Sequence, residues 1–502
     1  MLKKLRQILA TVSIIMVTLL FLDFTGTAHA WLGWMAKIQF LPALLSLNVA
    51  VIISLVLLTL LLGRVYCSVI CPLGIMQDGF AWIGKKVHKN RYSYSPALTA
   101  LRYIMLAVLA GGIIAGIGAV VALLAPYSAY GRLAQSILAP AWAWCNNQLA
   151  SWAERADSYA FYSVDIWLKG GATLVVASVT LVVLAVLAWR NGRTYCNTIC
   201  PVGTMLGFLS RYSIFKPVID TSRCNGCGLC ARNCKSACID SKTHTIDYSR
   251  CVACMDCIGK CHKGAISFTR PSAVKSAHEE NRAGATDAGG KATDASRRKF
   301  LSITATATVA AAVNAQEKVV DGGLAVIVDK KAPDRRTRIV PPGALSIANL
   351  TSHCTACQLC VSACPNGVLR PSTDLATFMQ PYSSYERGYC RPECTRCSDA
   401  CPTGAIRPIT EADKSSVKIG HAVWVKQNCV PLTDGVECGN CARHCPTGAI
   451  SMVPSDPADE TSVKIPVVND ERCIGCGACE NLCPARPYSA IYVEGHEVHR
   501  II

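Results

Sequence analysis

The sequence predicts an α-helical membrane domain, a four-helix duplication of a two-helix unit, joined to small α+β modules held together by cysteines. Three observations carry this. Four long apolar runs fall before Arg190, most of the 30 cysteines fall after it, and one twelve-residue segment occurs twice, 129 residues apart. Hydrophobic residues make up 51% of the 502 and the mean hydropathy is +0.31, too apolar for an ordinary soluble enzyme. The length allows several domains.

The apolar runs are residues 8–24, 40–62, 103–125 and 172–189. Each is near the ~20 residues a helix needs to cross an apolar core of ~30 Å. Ala28, His29 and Ala30 would suit a signal-peptide cleavage site, but three further runs follow in regular order, so the first is read as a span. Lys and Arg set the orientation. Arg64, Lys85, Lys86, Lys89, Arg91 and Arg102 lie between the second and third runs, whereas the first loop has only Lys37. The N-terminus, the second loop and the segment after Trp189 therefore face the cytoplasm. No histidine lies within the four runs, so a haem held by paired transmembrane histidines is excluded in this chain.

The cysteines after Arg190 fall into six runs. Two follow the last span: Cys224, Cys227, Cys230, Cys234 and Cys251, Cys254, Cys257, Cys261. Four more come late in the chain: Cys354, Cys357, Cys360, Cys364; Cys390, Cys394, Cys397, Cys401; Cys429, Cys438, Cys441, Cys445; and Cys473, Cys476, Cys479, Cys483. Three thiols in a tight loop wrap one face of a cubane cluster, and the fourth comes from a neighbouring run. Zinc prefers two Cys-x2-Cys pairs closing one tetrahedron, which six such runs do not suit. The spacing therefore predicts six [4Fe-4S] clusters on 24 cysteines in ferredoxin-like folds. In the first pair the runs exchange Cys234 and Cys261; Cys238, four residues past Cys234, is the alternative to it. In the distal set, regular outer runs and irregular inner ones suggest nested pairing, first with fourth and second with third. A return strand is expected where Gly264-Ala265-Ile266, Gly404-Ala405-Ile406 and Gly448-Ala449-Ile450 recur. Cys145 has no assigned role.

The formal charge of +17 invites a nucleic-acid partner. Six thiolate-bound clusters at about −2 each leave only about +5, so no nucleic-acid partner is expected.

Residues 271–295 are rich in Ala, Gly, Ser, Asp and Lys and read as a disordered linker. Ser296, Arg297, Arg298, Lys299, Phe300 and Leu301 then open a mild Ala/Thr-rich stretch, the pattern of a twin-arginine export signal or anchor over 296–318. Clusters are assembled inside the cell, so a domain carrying them must cross already folded. The expected domains are thus 1–215 in the membrane, 216–270 as a two-cluster cytoplasmic module and 340–502 as an exported four-cluster module.

The repeated segment runs from Gly63 to Gly74 (GRVYCSVICPLG) and from Gly192 to Gly203 (GRTYCNTICPVG), with eight of twelve positions identical. Cysteines four apart on a helix share a face, and a helix start makes thiolates available. Either Cys67/Cys71 and Cys196/Cys200 each cycle between dithiol and disulfide, or all four meet at one site; the alternative is that they only shape a turn.

Together these features resemble two families joined in one chain. Residues 1 to about 270 are similar to the polytopic membrane ferredoxin of periplasmic nitrate reductase systems (NapH type), and 296–502 to its exported four-cluster partner (NapG/MauM type). The resemblance implies oxidation of quinol from the membrane pool and delivery of electrons to a periplasmic reductase or cytochrome, as part of a quinol dehydrogenase of the bacterial inner membrane. It also implies that quinol binds near the cytoplasmic surface beside Arg64, Tyr66, Arg193 and Tyr195. Related membrane ferredoxins support a second reading, an electron donor for maturing or reactivating a metalloenzyme. How electrons cross ~30 Å of apolar core without a membrane haem is left open by the sequence.

Overall fold

The computed structural model describes residues 2–88, 92–270 and 328–501; the expected linker and twin-arginine segment lie outside the described residues. The N-terminal half is helical. Its main elements are α1 (Leu2–Leu22), α2 (Val49–Leu62), α3 (Pro72–His88), α4 (Thr99–Ile114), α5 (Pro126–Leu133), α6 (Gly171–Asn191) and α7 (Pro201–Ser210). A proline opens α3, α5 and α7, where its missing N–H costs no hydrogen bond.

Two of these helices, α1 and α6, are long and apolar enough to cross a membrane, at 21 residues each. The second and third apolar runs, expected as unbroken spans, are interrupted. Leu47 takes a positive φ of 52°, and Asn48 caps α2 by accepting the Val51 N–H at 3.3 Å. The result is a short helix, Phe40–Leu45, and then α2 of 14 residues. At 1.5 Å per residue α2 spans only ~21 Å. The third run breaks at Gly116, φ 67°, between α4 and a short helix, Gly118–Leu124. The loop expected after it is largely helical: α5 continues through a π-helical turn (Ala134–Leu138) into a helix at Ala139–Arg155. Large apolar side chains point outward from α1 (Ile8, Val12, Ile15, Leu19), α2 (Ile53, Leu57), α4 (Ile104, Val108) and α6 (Val175, Val179, Val182, Val186).

The two cysteine-rich modules sit at opposite ends of the long helices. At one end, Lys3 of α1 pairs with Asp256 at 3.0 Å, and the Arg193 N–H, just past α6, donates to the Lys235 carbonyl at 2.7 Å. At the other, Ser362 Oγ donates to the Phe21 carbonyl at 2.6 Å, and Lys169 Nζ, just before α6, donates to the Val361 carbonyl at 2.9 Å. A 21-residue helix is ~31 Å long, so the helical domain separates the modules by about that distance.

The first module is closed by β1 (Lys216–Ile219) antiparallel to β2 (Ile266–Thr269), with Ile219 opposite Ile266. The distal module pairs β3 (Val417–Trp424) with β6 (Ile491–Ile501), and β4 (Ile450–Asp456) with β5 (Asp459–Val468). The expected return strands start at Ile266 and Ile450; Ile406 begins none. Each preceding glycine (Gly264, Gly404, Gly448) has a φ between 61° and 73°, a turn that favours Gly. That turn aims a backbone N–H at the last thiol of its run: Ala265 at Cys261 (3.3 Å), Ile406 at Cys401 (3.4 Å) and Ala449 at Cys445 (3.3 Å).

Candidate metal centres

The distal thiols gather in four sets. One cavity is lined by Cys364, Cys390, Cys394 and Cys397, another by Cys429, Cys438, Cys441 and Cys483. Cys401 lies beside Cys354, Cys357 and Cys360, and Cys445 beside Cys473, Cys476 and Cys479. Runs therefore exchange their last thiol with the next run along the chain, first with second and third with fourth. The nested pairing expected from spacing is corrected. Neighbouring runs are joined by short connections, and the helices Leu359–Ala363 and Arg396–Ala400 pack together, as do Asn440–Arg443 and Ala478–Leu482. The widened gap after Cys390 is a loop and that after Cys429 holds a short helix, Val430–Thr433, and both leave the Cys-x3-Cys helical turn unchanged. The two distal pairs abut where the Cys390 N–H meets the Cys476 carbonyl at 2.9 Å.

In the first module, Cys230 lies near Cys224 and Cys227, and Cys261 packs on the same small core. Cys251, Cys254 and Cys257 line a cavity with both Cys234 and Cys238. The last two thiols are 3.5 Å apart, so two sulfurs stand where one is expected. These sets fit [4Fe-4S] clusters: four thiols face a shared space and backbone N–H groups point at sulfur, which favours the thiolate. Burial alone does the opposite, pushing the Cys476 thiol up to about 12 and the Cys441 thiol to about 11. Bound iron supplies the positive charge that offsets this.

The repeated segments form a seventh arrangement, inside the helical domain. Each starts at a glycine of positive φ (Gly63, 73°; Gly192, 69°), makes one short helix (Val65–Val69; Thr194–Thr198) and ends at a cysteine preceding α3 or α7. Their hydrogen bonds match: the Cys71 N–H reaches the Tyr66 carbonyl at 2.9 Å, and the Cys200 N–H reaches that of Tyr195 at 3.0 Å. The segments also clasp each other. Arg64 donates to the Cys196 carbonyl at 3.2 Å, and Arg193 to the Cys67 carbonyl at 2.5 Å. Cβ atoms on Gly74 and Gly203 would strike those same two carbonyls, which is why glycine stands there. All four cysteines are buried and lie within electrostatic reach of one another. Of the alternatives open in the sequence, the structure brings all four thiols to one site.

The residues expected to receive quinol do other work. Arg64 and Arg193 are wholly buried and directed at protein acceptors: Arg64 at Asn197 (2.9 Å) and the Ser249 carbonyl (3.1 Å), Arg193 at Asp78 (2.7 Å). Tyr66 is buried, its hydroxyl donating to Gln39 Oε1 and accepting the Phe40 N–H, both at 3.1 Å. Tyr195 lies close to Cys196, Cys200 and Arg132. Arg64, Tyr66 and Arg193 position the cysteine loops. Sequence reasoning missed Asp78, which joins Arg6, Arg193 and Lys235 at 2.7–3.0 Å, and Gln77, whose amide reaches Cys196 Sγ at 3.3 Å. A Gln-Asp pair within an otherwise apolar stretch was the available signal.

Cysteine runs that lend their last thiol to a neighbour define an iron–sulfur protein of ferredoxin type. Comparison with known proteins agrees. A model described as a 4Fe-4S binding domain matches residues 44–90 and 172–219, a 4Fe-4S dicluster domain matches 436–486, and a further 4Fe-4S binding domain matches 350–370. An uncharacterized protein of Methanocaldococcus jannaschii is 34% identical over 19% of this chain and 37% of its own length. The ferredoxin-type protein NapH of Escherichia coli is 28% identical over 39% of this chain and 55% of its own. The methylamine utilization ferredoxin-type protein MauM of Paracoccus denitrificans is 34% identical over 36% of this chain and 77% of its own. The chain spans about a third to just over half the length of the first two. It belongs to the ferredoxin-type iron–sulfur proteins.

Proposed function

We propose that this chain is a multi-pass membrane protein that holds six [4Fe-4S] clusters, oxidises quinol and passes the electrons to a reductase or cytochrome outside the cytoplasm. Residues 216–270 lie on the cytoplasmic side, to which two copies of a two-helix unit return the chain, and 340–502 on the other, to which the twin-arginine segment would deliver them. The observation that carries the reading is the docking of the two modules on opposite ends of α1 and α6. The outward apolar side chains support a lipid environment, since each Leu, Val or Ile withheld from apolar surroundings forgoes about 1.5–3 kcal/mol. The clusters supply one-electron storage; the chain supplies the thiols, the N–H groups aimed at them and the spacing between modules.

For quinol, a better place than the one expected from sequence is the cavity between Phe21, Phe24, Trp142, Trp167, Gln135 and Gln358. It is apolar and aromatic, adjoins the first distal run, and contains two buried amide oxygens without partners, Gln135 Oε1 and Gln358 Oε1. Quinol hydroxyls would donate to them; oxidation releases two electrons and two protons. In proteoliposomes, a short-chain quinol should bleach the cluster absorbance. Gln135→Leu should raise the half-saturating quinol concentration about tenfold, the loss of one hydrogen bond, with dithionite bleaching unchanged. A wild-type protein that quinol does not bleach would sink the proposal.

A further inference from the structure

The four thiols inside the helical domain are not used by the six-cluster reading. We infer that Cys67, Cys71, Cys196 and Cys200 hold one further iron–sulfur cluster, shared between the two repeated segments, and that it links the two ferredoxin modules electrically across the membrane domain. The inference rests on the electron-transfer reading above but not on quinol.

The first observation is convergence. Each segment supplies two buried cysteines, and the arginine of each holds the backbone of the other, so the four-thiol set exists only when the halves are clasped. Donors already point at three of the four sulfurs: Gln77 Nε2 at Cys196 (3.3 Å), the Gly203 N–H at Cys200 (3.4 Å) and Arg64 Nη2 at Cys67 (3.8 Å).

The second observation is charge. Arg64 is wholly buried, and its hydrogen bonds go to an amide, two carbonyls and a sulfur, none to a carboxylate. A buried cation without a counter-charge is strongly destabilising. Four thiolates on an iron–sulfur core carry net negative charge, which this guanidinium beside Cys67 would balance. Neutral dithiols or disulfides would not.

The third observation is position. Arg64 bridges Cys67 to the Ser249 carbonyl, two residues before Cys251. On the other side, Tyr195 lies near Cys196 and Cys200, Arg132 lies near both Tyr195 and Cys357, and Gly131 packs against the Cys357 carbonyl. One continuous packed core contains Val252, Cys67, Cys71, Cys200, Tyr127 and Cys357. Tunnelling falls off exponentially with distance, so an apolar core of ~30 Å needs an intermediate stop, and the four-cysteine site lies in the packed core that joins the two modules. The step is one electron in from one module and one out to the other, with no bond made or broken.

The test uses the full-length chain in detergent and in quinone-free liposomes. Wild-type iron should approach about 28 per chain in place of about 24, at four per cluster. Cys71→Ser/Cys200→Ser should lose about four irons and one low-temperature EPR signal while the other signals persist; Cys145→Ser, at an exposed thiol, should lose none. An impermeant reductant on the side of residues 216–270 should bleach the clusters of both modules in the wild type, and only those of the near module in the double variant. Iron near 24 in the wild type, a disulfide linking any two of the four cysteines, or one-sided bleaching confined to the near module would each overturn the inference. None of these results involves quinol, so they separate it from the quinol reading.

Discussion

Replacing Asp78 with Asn should loosen the first cluster module from the helical domain, by an amount the structure lets one work out. Asp78 accepts from Arg193 (2.7 Å), Lys235 (2.8 Å) and Arg6 (3.0 Å), and Lys235 continues to Asp256 at 3.1 Å. Arg193 is fully buried and the Lys235 side chain is 9% exposed. The amide keeps the shape but removes the only negative charge these three cations share. Removing one partner of a buried ion pair costs about 3–5 kcal/mol, a shift of roughly 10²- to 4 × 10³-fold in the undocked population at 1.4 kcal/mol per decade. The control is Lys3→Met. Its pair with Asp256 has side chains 36% and 20% exposed, so it should cost about 0.2–1 kcal/mol. Hydrogen exchange read on peptides covering 192–198 and 228–260 measures the opening directly. Exchange there should accelerate by the larger factor in D78N and by less than about tenfold in K3M, with the distal module unchanged. Equal effects of the two variants would refute the buried-network argument.

Two further predictions concern the cysteine runs. If consecutive runs exchange thiols, Cys401→Ser should alter the same EPR signal as Cys354→Ser, and Cys483→Ser the same signal as Cys429→Ser; nested pairing would instead join Cys483 to Cys354. Stripping iron with a chelator under reducing conditions should destabilise the distal module well beyond the first-order loss of its spectrum. The thiols of Cys476 and Cys441, pushed up to about 12 and 11 by burial, then take up protons and leave their cavities unfilled. Its melting midpoint should fall by more than ten degrees, and an unchanged midpoint would show that the clusters contribute nothing to its fold.

Much of this protein was legible in the sequence because its signals are local. Cys-x2-Cys-x2-Cys spacing is a property of one loop, and it identified the cluster thiols without any knowledge of tertiary contacts. The paired segments at Gly63–Gly74 and Gly192–Gly203 were visible for the same reason, as were the apolar runs. What depends on packing at long range was not visible. Whether Cys401 or Cys483 faces Cys354 is set by which helices pack together. The interruptions at Leu47 and Gly116 lie inside apolar runs whose hydropathy does not register backbone angles. Arg64 and Arg193 look like ligand-binding cations until their carbonyl partners, more than a hundred residues away, are seen to occupy them. The sequence by itself determined that this chain carries iron–sulfur clusters and a duplicated cysteine motif, since cluster chemistry demands those residues at that spacing. Only the tertiary structure decided that four thiols from two distant segments meet between the modules, because that meeting is made by helix packing and buried charge rather than by any local pattern.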